Sequence, residues 1–195
     1  MNEDDMFRIL FVAIYAVFAG VRVYYRSKTL GRTSEKEYTL INKPIIILSI
    51  SILGYFLAIG LWIFFPQIII VFQIAYPLLI RWFGVGVALI AIALVIWIHR
   101  TLGRQYSAKW EIQTDHQLIT VGPYSRVRHP MYTTFNLFSL SVSLITANLL
   151  ALFFAVCIAL TFIWIAKAEE EILIEQFGEE YLEYMKVTGR FLPRF

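Results

Sequence analysis

The chain has 195 residues, 59% of them hydrophobic, and a formal net charge of +3. A soluble domain is nearer half apolar, and here the apolar residues fall in blocks of membrane-spanning length, which excludes a water-soluble globular protein. The length suits one compact helical membrane domain, 1–195, rather than two, and no nucleic-acid partner is expected.

Met1–Asp5 is short and acidic. Phe7 to Val23 is apolar between Arg8 and Arg22, and about 17 residues is the lower limit for a spanning helix. Acidic residues precede it and Arg22-Val23-Tyr24-Tyr25-Arg26 follows it in place of a small-residue cleavage site, so a retained first span is expected. Arg26–Lys43 is polar and basic. Pro44 opens a second span at a position where its missing N–H costs nothing, and Pro66 stops it after Phe65. Gln67–Tyr76 is apolar but short, either an interfacial connector or the distorted start of the next helix. A third span covers Leu78–Ile98, with Arg81 near its start and able to snorkel to the interface.

His99–Ser107 is polar, and a lone His99 is expected to be structural. Lys109–Gln113 and Gln117–Val121 alternate loosely around Thr114-Asp115-His116, which suggests a short hairpin or an extended loop pair. The stretch Gly122–Tyr132 reads GPYSRVRHPMY. Its pre-proline positions, Gly122 and His129, are biased away from helix, so a shaped loop leading into a helix is expected. Taken alone, this loop also fits lipid binding, with Arg126 and Arg128 on phosphates and Tyr124 and Tyr132 as interface anchors.

Thr133–Ile165 is apolar for about 33 residues, too long for one untilted span of roughly 20. Asn148, a turn former, lies near its middle and divides it into spans 132–147 and 149–166. The expected fold is therefore all-α and polytopic. It has about five transmembrane helices (7–23, 44–65, 78–98, 132–147 and 149–166), the last two a tight hairpin, and a cytoplasmic C-terminal helix. With the N-terminus outside, Arg26–Lys43, His99–Arg128 and the tail lie inside. The Pro66–Pro77 connector and the Asn148 tip, which carry no Lys or Arg, lie outside, as the positive-inside rule requires.

Lys167–Lys186 has amphipathic helical spacing, with Gly178 as a kink and Gly189 and Pro193 as its end. Glu169, Glu170 and Glu171 open it. Three adjacent carboxylates point about 100° apart on a helix, so at least one faces the bundle. A carboxylate at the membrane edge is costly unless paired; Arg128, His129 or a cationic ligand could pair it. The alternative is a stop-transfer cluster in headgroup water. Cys157 fits a small hydrophobe. The chain has no metalloprotease, CxxC, phosphate-loop or nucleophile signature, and His99, His116 and His129 lack metal-ligand spacing, so no metal is expected. Ionisable residues are nearly absent from the spans, which argues against a transporter or channel.

Residues 116–132, HQLITVGPYSRVRHPMY, and 169–194, EEEILIEQFGEEYLEYMKVTGRFLPR, together resemble the isoprenylcysteine carboxyl methyltransferase family. More widely they are similar to the phospholipid-methyltransferase-like integral membrane enzymes. The strong resemblance covers roughly the C-terminal 80 residues, and the five-span layout looks like the short prokaryotic members. It implies an S-adenosylmethionine-dependent methyltransferase, releasing S-adenosylhomocysteine, with its cofactor pocket at the cytoplasmic ends of the last spans. His116, Gln117, Leu118 and Ile119 match the family's cofactor-contacting segment, Tyr124 its cofactor tyrosine, and His129, Pro130, Met131 and Tyr132 its RHPxY contacts. One of Glu169–Glu171 matches the cofactor-binding glutamate, Glu170 first and Glu169 second. Arg128, Glu170 and Lys167 are the candidate catalytic residues. Lys167 is included because the eukaryotic enzymes carry a substrate-binding arginine before the glutamates, where this chain reads Trp164-Ile165-Ala166-Lys167-Ala168.

The donor brings a sulfonium and an ammonium for a carboxylate, an adenine for Tyr and apolar side chains, and a carboxylate for His or backbone N–H groups. The implied partners are the bilayer and a lipophilic acceptor, foremost the α-carboxylate of a prenylated cysteine, with a phospholipid or other small lipid as an alternative. Two further readings stay open: a sterol-type membrane reductase using NADPH, and a non-catalytic protein that binds anionic lipid.

Overall fold

The computed structural model describes residues 2–28, 36–37, 42–103, 111–112 and 118–194. The chain is nearly all helical: α1 (Glu3–Ser27), α2 (Asn42–Phe64), α3 (Pro66–Ile69), α4 (Leu78–Leu102), α5 (Pro130–Thr146), α6 (Leu149–Phe177) and α7 (Glu179–Val187). Helix α1 starts where Asn2 caps it, accepting from the Asp5 amide at 2.7 Å. Glu3, Asp4 and Asp5 occupy its first turn, where the helix dipole favours anions. Proline at the first positions of α3 and α5 starts both helices without losing a hydrogen bond.

Four helices, α1, α2, α4 and α6, are long and apolar enough to cross a membrane. Their outward faces carry large bare apolar side chains such as Leu53, Leu79 and Leu160. In water that exposure would be unfavourable by about 25 cal/mol per Å² of apolar surface; in hydrocarbon it is not. This is an integral, multi-pass membrane protein. Helix α5 has 17 residues and is packed against α4 on one side and α6 on the other, while α2 lies along α6.

The turn between α5 and α6 is set by two residues. Ala147 takes a left-handed conformation, φ 50°. Asn148 then caps α6, its side-chain oxygen accepting from the amides of Leu150 and Ala151 at 2.9 and 3.2 Å. Its amide group donates to the Ala58 carbonyl of α2 at 3.4 Å. The connector between α2 and α4 packs under this tip: after α3 comes a 3-10 turn, Ile70–Phe72, and then an extended strand end in which the Ile74 amide donates to Ala147 O at 2.9 Å.

Arg81 departs from expectation. It does not snorkel outward but is buried. It donates to the Ile145 carbonyl at 2.9 Å and to Asp4 at 2.7 Å, with its guanidinium 3.9 Å over the Phe7 ring. The start of α1, the start of α4 and the end of α5 therefore share one end of the bundle. Helix α5 begins at the other end, beside the last turns of α1 and α4, so it runs the full depth of the bundle.

Two more differences concern the polar segments. Glu111–Ile112 pairs antiparallel with Lys36–Glu37; positions 109, 110 and 113–117 of the expected hairpin or loop pair lie outside the described residues. Helix α6 also continues without a break past the expected limit at 166, ending at Gly178, whose φ is +54°. The three glutamates thus ride on a rigid spanning helix.

Replacing Asn148 with alanine removes the α6 cap and a buried hydrogen bond. The expected cost is about 1–2 kcal/mol, read as a lower thermal midpoint of the detergent-solubilised protein. An unchanged midpoint would contradict the role given to this turn.

Candidate functional site

The segment after α7 is stitched onto the loop before α5. Val127 and Gly189 form a parallel bridge. The amides of Arg128 and His129 donate to the carbonyls of Gly189 and Arg190 at 2.9 and 3.0 Å, and the Gly189 amide donates to Arg126 O at 3.1 Å. Thr133 adds a hydroxyl bond to Phe191 O at 2.7 Å, and the Tyr184 hydroxyl donates to Tyr124 O at 2.5 Å. Position 189 has to be glycine, because a Cβ there would lie 1.8 Å from the Leu192 carbonyl oxygen.

This stitching brings two arginines onto one acid. Glu170 is 2% exposed. It accepts from Arg128 Nε at 2.8 Å and from Arg190 Nε at 3.0 Å and Nη2, and faces His129 Nε2 at 3.3 Å. Arg128 in turn donates to the carbonyls of Thr188 and Met185. Desolvating a carboxylate costs several kcal/mol, recovered only when its oxygens are well bonded. Here both oxygens are, so Glu170 is the centre of a compact ionic hub.

Glu169, the next residue round the helix, is different. Its side chain is about a third exposed, at 32%. It accepts from the Tyr132 hydroxyl at 3.0 Å and lies 3.4 Å from His129 Nδ1. The Tyr132 ring is layered between His129, 5.5 Å away, and Phe162, 4.6 Å away, so its hydroxyl direction is fixed. His129 is buried, with each ring nitrogen facing a carboxylate. Burial pushes its pKa down, but the bonds to Glu169 and Glu170 push it up by more, and the net direction is upward. Both nitrogens can donate only in the protonated ring, so the geometry favours imidazolium.

The structure thus brings together Arg128, His129, Tyr132, Glu169 and Glu170. Pro130 is buried at the start of α5, and Leu118, Ile119, Tyr124 and Met131 are half-buried. His116 and Gln117 lie outside the described residues. Lys167 is exposed on α6 and takes no part in the described cluster. Glu170, the first choice for the cofactor-binding glutamate, is engaged by Arg128, Arg190 and His129, and the second choice, Glu169, is the more exposed of the two. Sequence reasoning passed over Arg190 and treated Gly189 only as a helix end. An inward glutamate at a membrane edge needs more than one donor, and that demand was the available signal.

A multi-pass membrane bundle with a charged hub at one end is the class these features define. A family model described as phospholipid methyltransferase matches residues 79–180, and the chain belongs to that family. Among curated proteins, the Saccharomyces cerevisiae protein-S-isoprenylcysteine O-methyltransferase is 33% identical over 96 residues, covering 48% of this chain and 40% of the yeast protein. The Arabidopsis thaliana protein-S-isoprenylcysteine O-methyltransferase B is 31% identical over 96 residues, 48% of this chain and 49% of its own. A cobalt-zinc-cadmium resistance protein of Cupriavidus metallidurans is 30% identical over 142 residues, 70% of this chain and 63% of its own. The matches to the first of these relatives thus span about half of their length or less. Among solved structures, the eukaryotic intramembrane Ras methyltransferase ICMT shares the fold with a TM-score of 0.55 at 21% identity, over 94% of this chain and 67% of that one.

Two outcomes are expected. Glu170→Ala leaves Arg128 buried without its carboxylate and should cost about 3–5 kcal/mol, whereas Glu171→Ala, exposed one residue away, should change stability by less than about 0.5 kcal/mol; thermal unfolding in detergent reads both. The His129 contribution has a definite sign. Its folded pKa lies above the ordinary value near 6.5, so its stabilisation is fully present below about pH 6.5 and fades as pH rises through the folded value. The stability difference between wild type and His129→Phe should shrink over that window, and a difference independent of pH would contradict the imidazolium assignment.

Proposed function

We propose that this protein is an S-adenosylmethionine-dependent carboxyl methyltransferase whose acceptor is the α-carboxylate of a prenylated cysteine. The observation that carries this reading is the accessible carboxylate of Glu169, fixed by Tyr132 and His129 beside a fully paired Glu170. An anchored, accessible anion is what a donor bearing an ammonium and a sulfonium requires. When bound, the donor supplies an electrophilic methyl group. Glu169 holds its cationic end, and the half-buried Tyr124, Leu118 and Ile119 flank the adenine. His116 and Gln117 join this set by resemblance. The names of the curated relatives support the acceptor class.

A C-terminal carboxylate has a reference pKa of about 3.3–3.7 and is ionised at pH 7, so this reaction needs no general base. What the chain must supply is alignment of carboxylate oxygen with the methyl group, and removal of water from the nucleophile. The rigid α6 and the stitched loop before α5 give the first; burial of the hub gives the second. In this reading α5 is a fifth crossing, the N-terminus is outside, and the site lies on the cytoplasmic side, where the basic loops gather. Methyl transfer to a phospholipid or other small lipid is the second reading, favoured by the description of the family.

The test is transfer of labelled methyl from S-adenosylmethionine to N-acetyl-S-farnesylcysteine by the purified protein. Base-labile methyl ester should form, and Glu169→Gln should lower kcat/KM by roughly 10- to 100-fold. Label in an ethanolamine phospholipid instead would move the assignment to the second reading, and label in neither would count against methyl transfer.

A further inference from the structure

Helix α7 presents one inward face. Tyr181, Tyr184 and the Thr188 that ends the helix lie on it at helical spacing and are buried, whereas Leu182, Glu183, Lys186 and Val187 are exposed. Nearly every polar group on this face is committed. The Tyr184 hydroxyl donates to Tyr124 O, and the Thr188 hydroxyl donates to Tyr184 O at 2.6 Å. Arg128 closes the end of the helix by donating to the carbonyls of Met185 and Thr188. Tyr181 is the exception. It is 1% exposed, and its ring lies 5.8 Å from that of Tyr184. Its hydroxyl has no hydrogen-bond partner among the described residues.

A buried phenol hydroxyl normally finds a partner, and leaving it unpaired costs free energy that phenylalanine in the same place would avoid. Burial and the field of Glu170 push its pKa above the ordinary value near 10, so the group stays protonated and able to donate. The charges that act on it are those of the hub, Glu170, Arg128 and Glu169. With His129 as imidazolium, the hub sets three cations, Arg128, Arg190 and His129, against two acids, Glu169 and Glu170. The surplus is positive and favours one further anion. The methyl donor carries one: its amino-acid end has an ammonium and a carboxylate on the same carbon, so the groups that meet them must be neighbours. In the reading above Glu169 takes the ammonium. His129, which the sequence offered for the carboxylate, has both ring nitrogens on glutamates. Tyr181 supplies an O–H in its place.

We propose that the Tyr181 hydroxyl donates to the α-carboxylate of the methyl donor and so selects for its amino-acid end. The proposal rests on the methyl-donor pocket described above. It is tested with wild type and Tyr181→Phe by calorimetric binding of S-adenosylhomocysteine and of its decarboxylated analogue S-adenosyl-3-thiopropylamine, which keeps the amine and lacks the carboxylate. Wild type should prefer S-adenosylhomocysteine by roughly tenfold. Tyr181→Phe should lose most of that preference by weakening S-adenosylhomocysteine alone, with the affinity of the decarboxylated analogue within about twofold of wild type. Its thermal midpoint without either compound should equal or exceed that of wild type, because no bond within the protein is lost. A preference that survives Tyr181→Phe, equal weakening of both compounds, or a lowered midpoint, which would give the hydroxyl a structural partner, would each overturn the proposal. Wild type that binds both compounds equally would overturn it while leaving the pocket in place. Wild type that binds neither would overturn the methyltransferase reading itself.

Discussion

A carboxylate buried at the edge of a membrane cannot remain unpaired, and Glu170 meets that constraint by gathering three elements that are far apart in sequence. Arg128 reaches it from the loop before α5, His129 from the cap of α5, and Arg190 from the segment after α7. Each partner is committed: Arg128 is also tied to backbone carbonyls near 185–188, and the peptide groups of 126–129 and 189–190 bond to one another. The hub therefore fixes the position of the neighbouring Glu169, whose side chain is about a third exposed. A buried acid and a partly exposed acid occupy adjacent positions on one helix because successive side chains point about 100° apart.

The far end of the bundle has a smaller counterpart in the contact of Arg81 with Asp4 and the Ile145 carbonyl. The two charged clusters hold the two ends of α5. Between them the contacts are apolar and aromatic, with Phe18, Phe135, Phe138 and Phe162 forming layers across α1, α5 and α6. Such an interior gives little electrostatic screening, so charges at the site end act strongly on whatever enters.

Much of this architecture was legible in the sequence, for identifiable reasons. Apolar blocks bounded by Pro44, Pro66 and Pro130 mark helices because proline has few tolerated positions. Asn148 marks a hairpin because its side chain can cap the second helix of the pair. The association of His129 and Tyr132 with the glutamates was legible through family resemblance, since nothing in local spacing joins positions about 40 residues apart. The identity of the buried glutamate could not be read, because one residue of helical phase reverses the answer. Arg190 was missed because its role depends on a parallel bridge between Val127 and Gly189, a long-range pairing with no periodic signature. Arg81 was misjudged because its partner, Asp4, lies 77 residues away.

The central claim is that Glu169, held by Tyr132 and His129, forms the anionic wall of a donor pocket. Isothermal titration of the detergent-solubilised protein with S-adenosylhomocysteine tests it most directly, comparing wild type with Glu169→Gln and with the exposed control Glu171→Gln. The account predicts saturable binding by wild type, weakening of about tenfold or more in Glu169→Gln, and no change in the control. Wild type without binding, or Glu169→Gln binding as tightly as wild type, would contradict it.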